Sequence, residues 1–375
     1  MTTTAATPAD TGTGTPTRHF ALAVLALAMG GFAIGTTEFV TMGLLPQVAD
    51  GVDVSIPVAG HLISAYALGV VVGAPVLAFF GAKWPRRGLL LALMTAYAVF
   101  NALSAVATSY HLLMAARFLD GLPHGAYFGV ASLVAASLAA PGRKGRAVAA
   151  LALVTVAMVL AYVPACPGDP AATGRREIKA FSSLQVWLTL LAGAIGFGGM
   201  FAVYSYIAPT LTDVGGLSQG AVPVFLLSFG LGMVAGTWLA GELADWSVFR
   251  SLLGSALGSG LVMLLFFVAA PHGWWALPVV FLITALGSVL VVNLQLRLMD
   301  VAGEAQTLGA AMNHASLNVA NALGAWLGGL VIAAGYGYRS PALVGVALSV
   351  AGIGVLLWSA TAHHRELRRS AASTS

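Results

Sequence analysis

The sequence predicts an all-α integral membrane protein, and three observations lead there. Of 375 residues, 59% are hydrophobic and only 8% carry a charge, where soluble domains carry about 25% charged residues. Mean hydropathy is +0.90. From Arg18 onward, apolar stretches recur that are each long enough to cross about 30 Å of hydrocarbon as a helix. A soluble fold is excluded.

Residues 1–17 (MTTTAATPADTGTGTPT) are rich in Thr, Ala, Pro and Gly and hold Asp10 but no Lys or Arg. They lack the basic start of a secretory signal peptide, and a disordered tail is expected. Eleven spans follow, at 20–45, 57–80, 88–107, 111–139, 147–164, 184–209, 220–241, 251–270, 274–294, 306–334 and 342–361. Their connections are short, so sequence neighbours should run antiparallel. The resulting organisation is a tail (1–17), an N-terminal bundle of about five segments (18–164), a central loop (165–183), a six-helix C-terminal bundle (184–361) and a basic tail (362–375).

The net charge of +4, from 17 basic and 13 acidic residues, carries its information through position, since basic loops stay cytoplasmic. With a cytoplasmic N-terminus, Lys83, Arg86, Arg87, Arg143, Lys144 and Arg146 lie inside, and the outer loops between them hold Asp50 and Asp53. The second bundle obeys the rule if 165–183 is also cytoplasmic, which places Arg175, Arg176, Lys179, Arg250, Arg297, Arg365, Arg368 and Arg369 inside and Arg339 alone outside. Both termini are then cytoplasmic. One crossing is missing, because 147–164 starts inside and a simple crossing would deliver the central loop to the wrong side.

The count of repeats gives the same result, with six spans after residue 184 and five before. The loop after 57–80, GAKWPRR (Gly81 to Arg87), matches the loop after 220–241, GELADWSVFR (Gly241 to Arg250). Each is a Gly-started, basic-ended turn. Paired six-helix halves are the architecture of secondary transporters. Other classes drop out: Cys166 is the single cysteine, the eight His lack zinc-ligand spacing, and there is no phosphate-binding loop of an ATP-driven pump. No enzyme motif, cofactor or metal site is expected, and the basic pI is no sign of nucleic-acid binding.

Three polar constellations interrupt the apolar spans. Glu38 is a carboxylate in mid-span, an insertion cost of about 2.5–3.5 kcal/mol that marks a functional residue by default. It can take and release protons, or it is a structural acid bonded to a neighbour such as Thr36 or Thr37. Gly31, Gly35, Glu38 and Met42 share its helix face. In 111–139, Arg117, Asp120, Gly121, His124 and Phe128 fall on one side of a helix. The Arg117–Asp120 pair can couple proton binding to a helix shift, or it is a fixed structural pair; His124, beside Pro123, equally fits a role in satisfying backbone freed by the proline. In 306–334, His314, Asn318 and Asn321 share a face, as interhelical glue or as ligand contacts. Tyr204, Tyr206, Asn293 and Gln295 add polar groups that could orient a ligand in an apolar cavity. Gly69 with Gly73, and Gly324 with Gly328, are small-residue spacings that permit close helix approach.

Three stretches, GTTEFVTMGLLP (Gly35 to Pro46), ARFLDGLPHGAYFG (Ala116 to Gly129) and LQLRLMDVAGEAQTLGAAMNHASLNVANALGAWLGG (Leu294 to Gly329), resemble the major facilitator superfamily, in its drug:proton antiporter branch near the arabinose-efflux-like and chloramphenicol-efflux-like permeases. The resemblance covers residues 20 to 361 and implies a two-bundle helical transporter with twelve spans as the family norm. It implies proton-coupled efflux of a small organic compound, drug, sugar or nucleoside-like, by alternating access across the plasma membrane, with no cofactor and a monomeric state. Glu38, Arg117 and Asp120 are then the proton-coupling residues. Gly35, Met42, His124, Phe128, Tyr204, Tyr206, Asn293, Asn318 and Asn321 line the cavity, while Gly81, Arg86, Arg87, Gly241, Asp245 and Arg250 form the gating loops. The chain departs from the family twice. Its Gly-Pro-Gly-rich antiporter motif is absent, with 147–164 reading as the start of one helix fused to the end of the next; and the usual loop Asp is Ala82 in the first half, though Asp245 keeps it in the second. The alternative is a transport-defective, internally deleted remnant acting at most as a membrane binding protein.

Overall fold

The computed structural model describes residues 17–81, 83–138, 182–302 and 306–373. The expected span 147–164, Cys166, Ala82 and most of the expected tail and central loop lie outside them. Every described element is helical, as the composition demanded: in hydrocarbon each backbone N–H and C=O must be satisfied within its own segment.

The first half consists of α1 (Thr17–Gly43), the short α2 (Leu45–Gly51), α3 (Ile56–Gly81), α4 (Arg86–Ala105) and α5 (Tyr110–Leu138). The second comprises α6 (Leu184–Gly196), α7 (Gly198–Ser205), α8 (Ile207–Pro209), α9 (Val222–Ala269), α10 (Ala276–Ala302), α11 (Gln306–Val331) and α12 (Ser340–Ser373). Seven stretches are long and apolar enough to cross a membrane, and the longest, Gln219–Ala302, holds more than one rod. Side chains such as Trp238, Leu261, Phe80 and Val234, between 61% and 71% exposed, form the outer surface. In water such a surface would aggregate; in lipid it is the solvated face.

Several boundaries differ from expectation. The helices expected to end at 294 and 361 run on to Ala302 and Ser373, so α12 takes in most of the expected C-terminal tail. The span expected at 20–45 stops at Gly43, and a separate α2 starts with Pro46 in its first turn, a position where the missing proline N–H is harmless. The span at 184–209 is three helices, broken at Phe197 (φ −87°, ψ −14°) and Tyr206 (φ −117°, ψ 22°). The spans at 220–241 and 251–270 are joined as α9, interrupted only at Ser247 (φ −174°, ψ 111°). There the Ser251 hydroxyl contacts the carbonyls of Leu243 (2.8 Å) and Ser247 (2.7 Å), satisfying backbone oxygen that the break exposes. The turn into α10 uses Gly273 at φ +60°, a conformation that costs glycine little.

Glycines set how the helices pack. A Cβ on Gly69 would run into the Phe118 carbonyl, one on Gly73 into Leu122, and one on Gly121 into the Tyr66 carbonyl, so α3 and α5 meet backbone to backbone. The second half repeats the crossing, with Gly232 and Gly236 of α9 against Phe281 and Ala285 of α10. Gly324 of α11 lies on the backbone of Gly198 in α7. Two hydrophobic clusters result. One belongs to the first half alone and includes Leu27, Ile34, Tyr66, Leu90 and Tyr127. The other runs through the second half and takes in Met42, Leu45, Ala49, Ala59 and Ile63, all from the end of the bundle where α1 stops and α3 begins. At that end the halves share one core.

Candidate functional site

Glu38, one and a half turns before α1 ends, is turned toward the second half. It is 8% exposed, and its Oε1 accepts a hydrogen bond of 2.9 Å from Asn321 Nδ2 of α11. The bond crosses between the halves. Thr37 does not serve Glu38, contrary to one sequence expectation: its hydroxyl donates to the Ala33 carbonyl (2.7 Å) and pairs with the Tyr97 hydroxyl of α4. The 100° step per residue puts Thr37 and Glu38 on different faces of α1.

The second constellation is built on α5, next to α3 and α4. Arg117 Nη1 bonds Asp120 Oδ2 at 3.0 Å, with both side chains buried, and Asn101 Nδ2 of α4 donates to the other carboxylate oxygen. A buried acid with charge-assisted partners on both oxygens is well satisfied. The Arg117 guanidinium lies 4.5 Å from the centre of the Tyr66 ring, a cation–π arrangement that tolerates burial better than an open charge. The Tyr66 hydroxyl contacts His124 Nδ1 at 2.9 Å, so His124 is held by a side chain of α3 rather than by the backbone near Pro123. One turn on, Phe128 stacks on His314 of α11 at 4.9 Å, with the His124 and His314 rings 6.2 Å apart.

The structure therefore gathers Glu38, Arg117, Asp120, His124, Phe128 and Asn321 at the meeting of α1, α5 and α11. Gly35, one turn from Glu38, has open space where a Cβ would project, whereas Met42 is fully buried in the shared core. Tyr204 lies toward the end where the halves share one core, 3.8 Å from the Phe229 ring centre and edge-on to Phe39 of α1 at 5.5 Å. Tyr206 sits on the seam between α8 and α11, its hydroxyl donating to the Ala325 carbonyl at 2.8 Å. Asn293 and Asn318 each donate to a carbonyl one turn back in their own helices, at 2.9 Å. Their Oδ1 atoms, that of Asn321 and the Arg117 Nε are buried and without a hydrogen-bond partner. Unsatisfied polar atoms of this kind are uncommon in native interiors and call for a partner.

The loop residues lie apart from this cluster. Gly81 closes α3 against Leu89, Arg86 and Arg87 open α4, and Gly241 and Asp245 are exposed before the Ser247 break. Arg250 lies 5.3 Å from the Trp246 ring centre. Residues that sequence reasoning missed include Tyr66, Tyr97 and Asn101; the last two are polar positions one turn apart in a largely apolar span, a signal that was available. A second buried knot went unread: Arg297 Nη2 donates to Ser359 Oγ (2.8 Å) and Gln185 Oε1 (3.3 Å), tying α10, α12 and α6 together.

Known proteins share this plan. The sequence profile of the Major Facilitator Superfamily matches residues 27–167. The inner membrane transport protein YdhP of Escherichia coli (strain K12) is 38% identical, with 89% of this chain and 94% of YdhP covered. The putative transporter AraJ of the same organism is 31% identical over 94% of this chain and 97% of its own, and a chloramphenicol resistance protein of Streptomyces lividans is 33% identical over 87% and 94%. The AraJ alignment extends over 386 positions while using 94% of a 375-residue chain, so about 34 of its positions find no residue here. The crystal structure of the transporter FucP in the outward conformation superposes with a TM-score of 0.61 at 14% identity, covering 92% of this chain and 98% of that one. With the paired bundles, the intramembrane charges and these relatives in agreement, this multi-pass membrane protein belongs to the major facilitator superfamily of transporters.

Proposed function

We propose that the chain is a secondary active transporter that moves a small organic compound out across the plasma membrane in exchange for protons. The observation that carries this reading is the Glu38–Asn321 bond: a buried acid in the first half holds the second half at 2.9 Å. An acid so placed couples its protonation to the relative position of two bodies, and coupling requires just such a differential contact. Arg117, fixed by Asp120 and Tyr66, supplies a permanent charge against which Glu38 gains or loses its proton. Phe128, His124 and His314 offer flat surfaces, and Asn318 a free acceptor, to a compound bound between the halves. Both termini are cytoplasmic in this reading, and the protomer works alone.

Efflux-type relatives support the direction, among them the chloramphenicol resistance protein and a probable sugar efflux transporter of Helicobacter acinonychis. Chloramphenicol and a simple sugar are therefore the first compounds to test in proteoliposomes with an imposed pH gradient. Gradient-driven movement that Glu38→Gln abolishes is expected; an unchanged, equally pH-dependent rate in that variant would refute the role of Glu38. A remnant without transport is the second reading, favoured by the positions of the AraJ alignment that find no residue here. Failure to move either compound, with substrate still bound in a direct binding assay, would favour it.

A further inference from the structure

We infer that Asn321 is the conformational reader of the Glu38 proton: the two side chains form one hydrogen bond between the halves when Glu38 is ionised and two when it is protonated, so proton binding tightens α1 against α11. The inference rests on the proton-carrying role proposed for Glu38.

The geometry supplies both bonds. Asn321 is fully buried; its Nδ2 donates to Glu38 Oε1, while its Oδ1 is buried with no partner. An ionised carboxylate only accepts, so it uses the amide nitrogen and leaves the amide oxygen idle. A protonated carboxyl acquires an O–H donor, and the atom it lacks is the one left idle. Nδ2 and Oδ1 share one carbon, as do the two carboxyl oxygens, so the planar groups can lie edge to edge, one bond running each way. The step transfers one proton from water to a Glu38 oxygen and moves no electrons. In the ionised state the pair leaves a buried acceptor unsatisfied, which is costly in a low-dielectric interior; protonation removes that cost only where α1 and α11 remain in contact.

The groups that face Glu38 do not supply the second bond. Arg117 of α5 is committed to Asp120 and to the Tyr66 ring of α3. Tyr66 uses its hydroxyl on His124. Tyr204 of α7 is packed against Phe39 and Phe229, and His314, two turns earlier in α11, stacks on Phe128. Asn321 alone bonds the carboxylate directly among the described residues. Since the ends of α1 and α7 share one core in this arrangement, the protonated carrier favours the state sealed at that end. With a cytoplasmic N-terminus that end is the outer one, and the proton is then released inward, the direction exchange requires.

The test reads position rather than transport. Lys83→Cys in the turn between α3 and α4 and Glu242→Cys on α9 place one spin label at an exposed position of each half, in a Cys166→Ser background, and their separation is measured in lipid nanodiscs from mildly acidic to mildly alkaline pH. One hydrogen bond gained should change the ratio of the two arrangements by about two- to tenfold. Acid should enrich the separation seen here. Glu38→Gln, whose amide can make both bonds with Asn321, should hold that separation at every pH. Asn321→Leu should flatten the pH response, and Asn321→Thr, which offers one bond in either state, should do so if the leucine variant misfolds. A pH response that survives intact in both Asn321 variants but vanishes in Glu38→Gln overturns this inference and leaves Glu38 as the carrier. A response that survives in Glu38→Gln overturns the proposed role of Glu38 itself. No response in the parent, or a Glu38→Gln population opposite to the acid one, also overturns the inference.

Discussion

Gly73→Ala adds a single methyl group where α3 meets α5, and its cost can be worked from the contact. The new Cβ would lie 2.5 Å from Leu122 Cα and 2.6 Å from its carbonyl carbon, whereas carbon atoms rest about 3.5–4.0 Å apart. Backbone cannot rotate away as a flexible side chain does, so the helices must part by about 1 Å. Overpacking of this kind costs about 1–3 kcal/mol, against a gain of about 1 kcal/mol for alanine over glycine in a helix interior. A net loss of up to about 2 kcal/mol is expected, with a functional penalty, because Tyr66, two turns from Gly73, must stay 2.9 Å from His124 and 4.5 Å from Arg117. Gly254→Ala is the matched control: it lies within α9 with open space at its Cβ and should gain about 0.5–1 kcal/mol. Thermal unfolding of both purified variants in one detergent checks the sign, and transport or substrate binding checks the effect on the site. Shifts of the same sign and size would refute the packing argument.

Arg117→Leu strands the buried Asp120 carboxylate with Asn101 alone and should destabilise by about 3–5 kcal/mol; Asp120→Asn with Arg117→Leu should recover part of that loss in the same melting assay. Tyr206→Phe removes only the bond to the Ala325 carbonyl, so a loss of about 1 kcal/mol with unchanged substrate affinity is expected from melting and binding curves. Arg297→Leu leaves Gln185 and Ser359 bonded to each other at 2.8 Å; the loss should therefore be smaller than for Arg117→Leu, a ranking that parallel melts decide.

The fold class was legible because hydropathy is additive along the chain: twenty apolar residues leave few options besides a crossing helix. Glycine pairs at Gly69 and Gly73, and at Gly324 and Gly328, were legible for a related reason, since their spacing alone puts them on one face. The breaks at Phe197 and Ser247 were not. They depend on what the neighbouring helix presents, as where Gly196 approaches Gly352 and Gly199 approaches Gly345, and a single span does not encode its neighbour. The same limit governed the site. Glu38, Arg117 and Asp120 stood out as charges in hydrocarbon, but Asn321 looked like any interhelical amide until the fold placed it, 283 positions along the chain, on Glu38. Tyr66 was invisible because an aromatic residue in an apolar helix is unremarkable, and only its position beneath Arg117 and beside His124 gives it a role.

The distribution of tight contacts bears on how such a molecule moves. The tightest glycine contacts, in which an added Cβ would meet backbone of a neighbouring helix within 3 Å, fall inside one half or the other: Gly69, Gly73 and Gly121 join α3 to α5, and Gly232, Gly236, Gly324 and Gly352 join helices of the second half. Across the halves the close approaches end on side chains, as where a Cβ on Gly43 would meet Leu226 or one on Gly60 would meet the Tyr206 hydroxyl. Bonds between the halves are likewise made by side chains, Asn321 to Glu38 at 2.9 Å and Ser64 to the Ala322 carbonyl at 3.2 Å. A seam of interlocked backbone cannot slide without parting entirely, while side chains change rotamer at low cost. Each half is therefore a stiff body and the seam between them is the compliant element, which is the mechanical requirement for rocking two bundles about a site at their interface. Glu38, the buried acid that bonds across that seam among the described residues, sits where a change of a single proton can act on the whole motion.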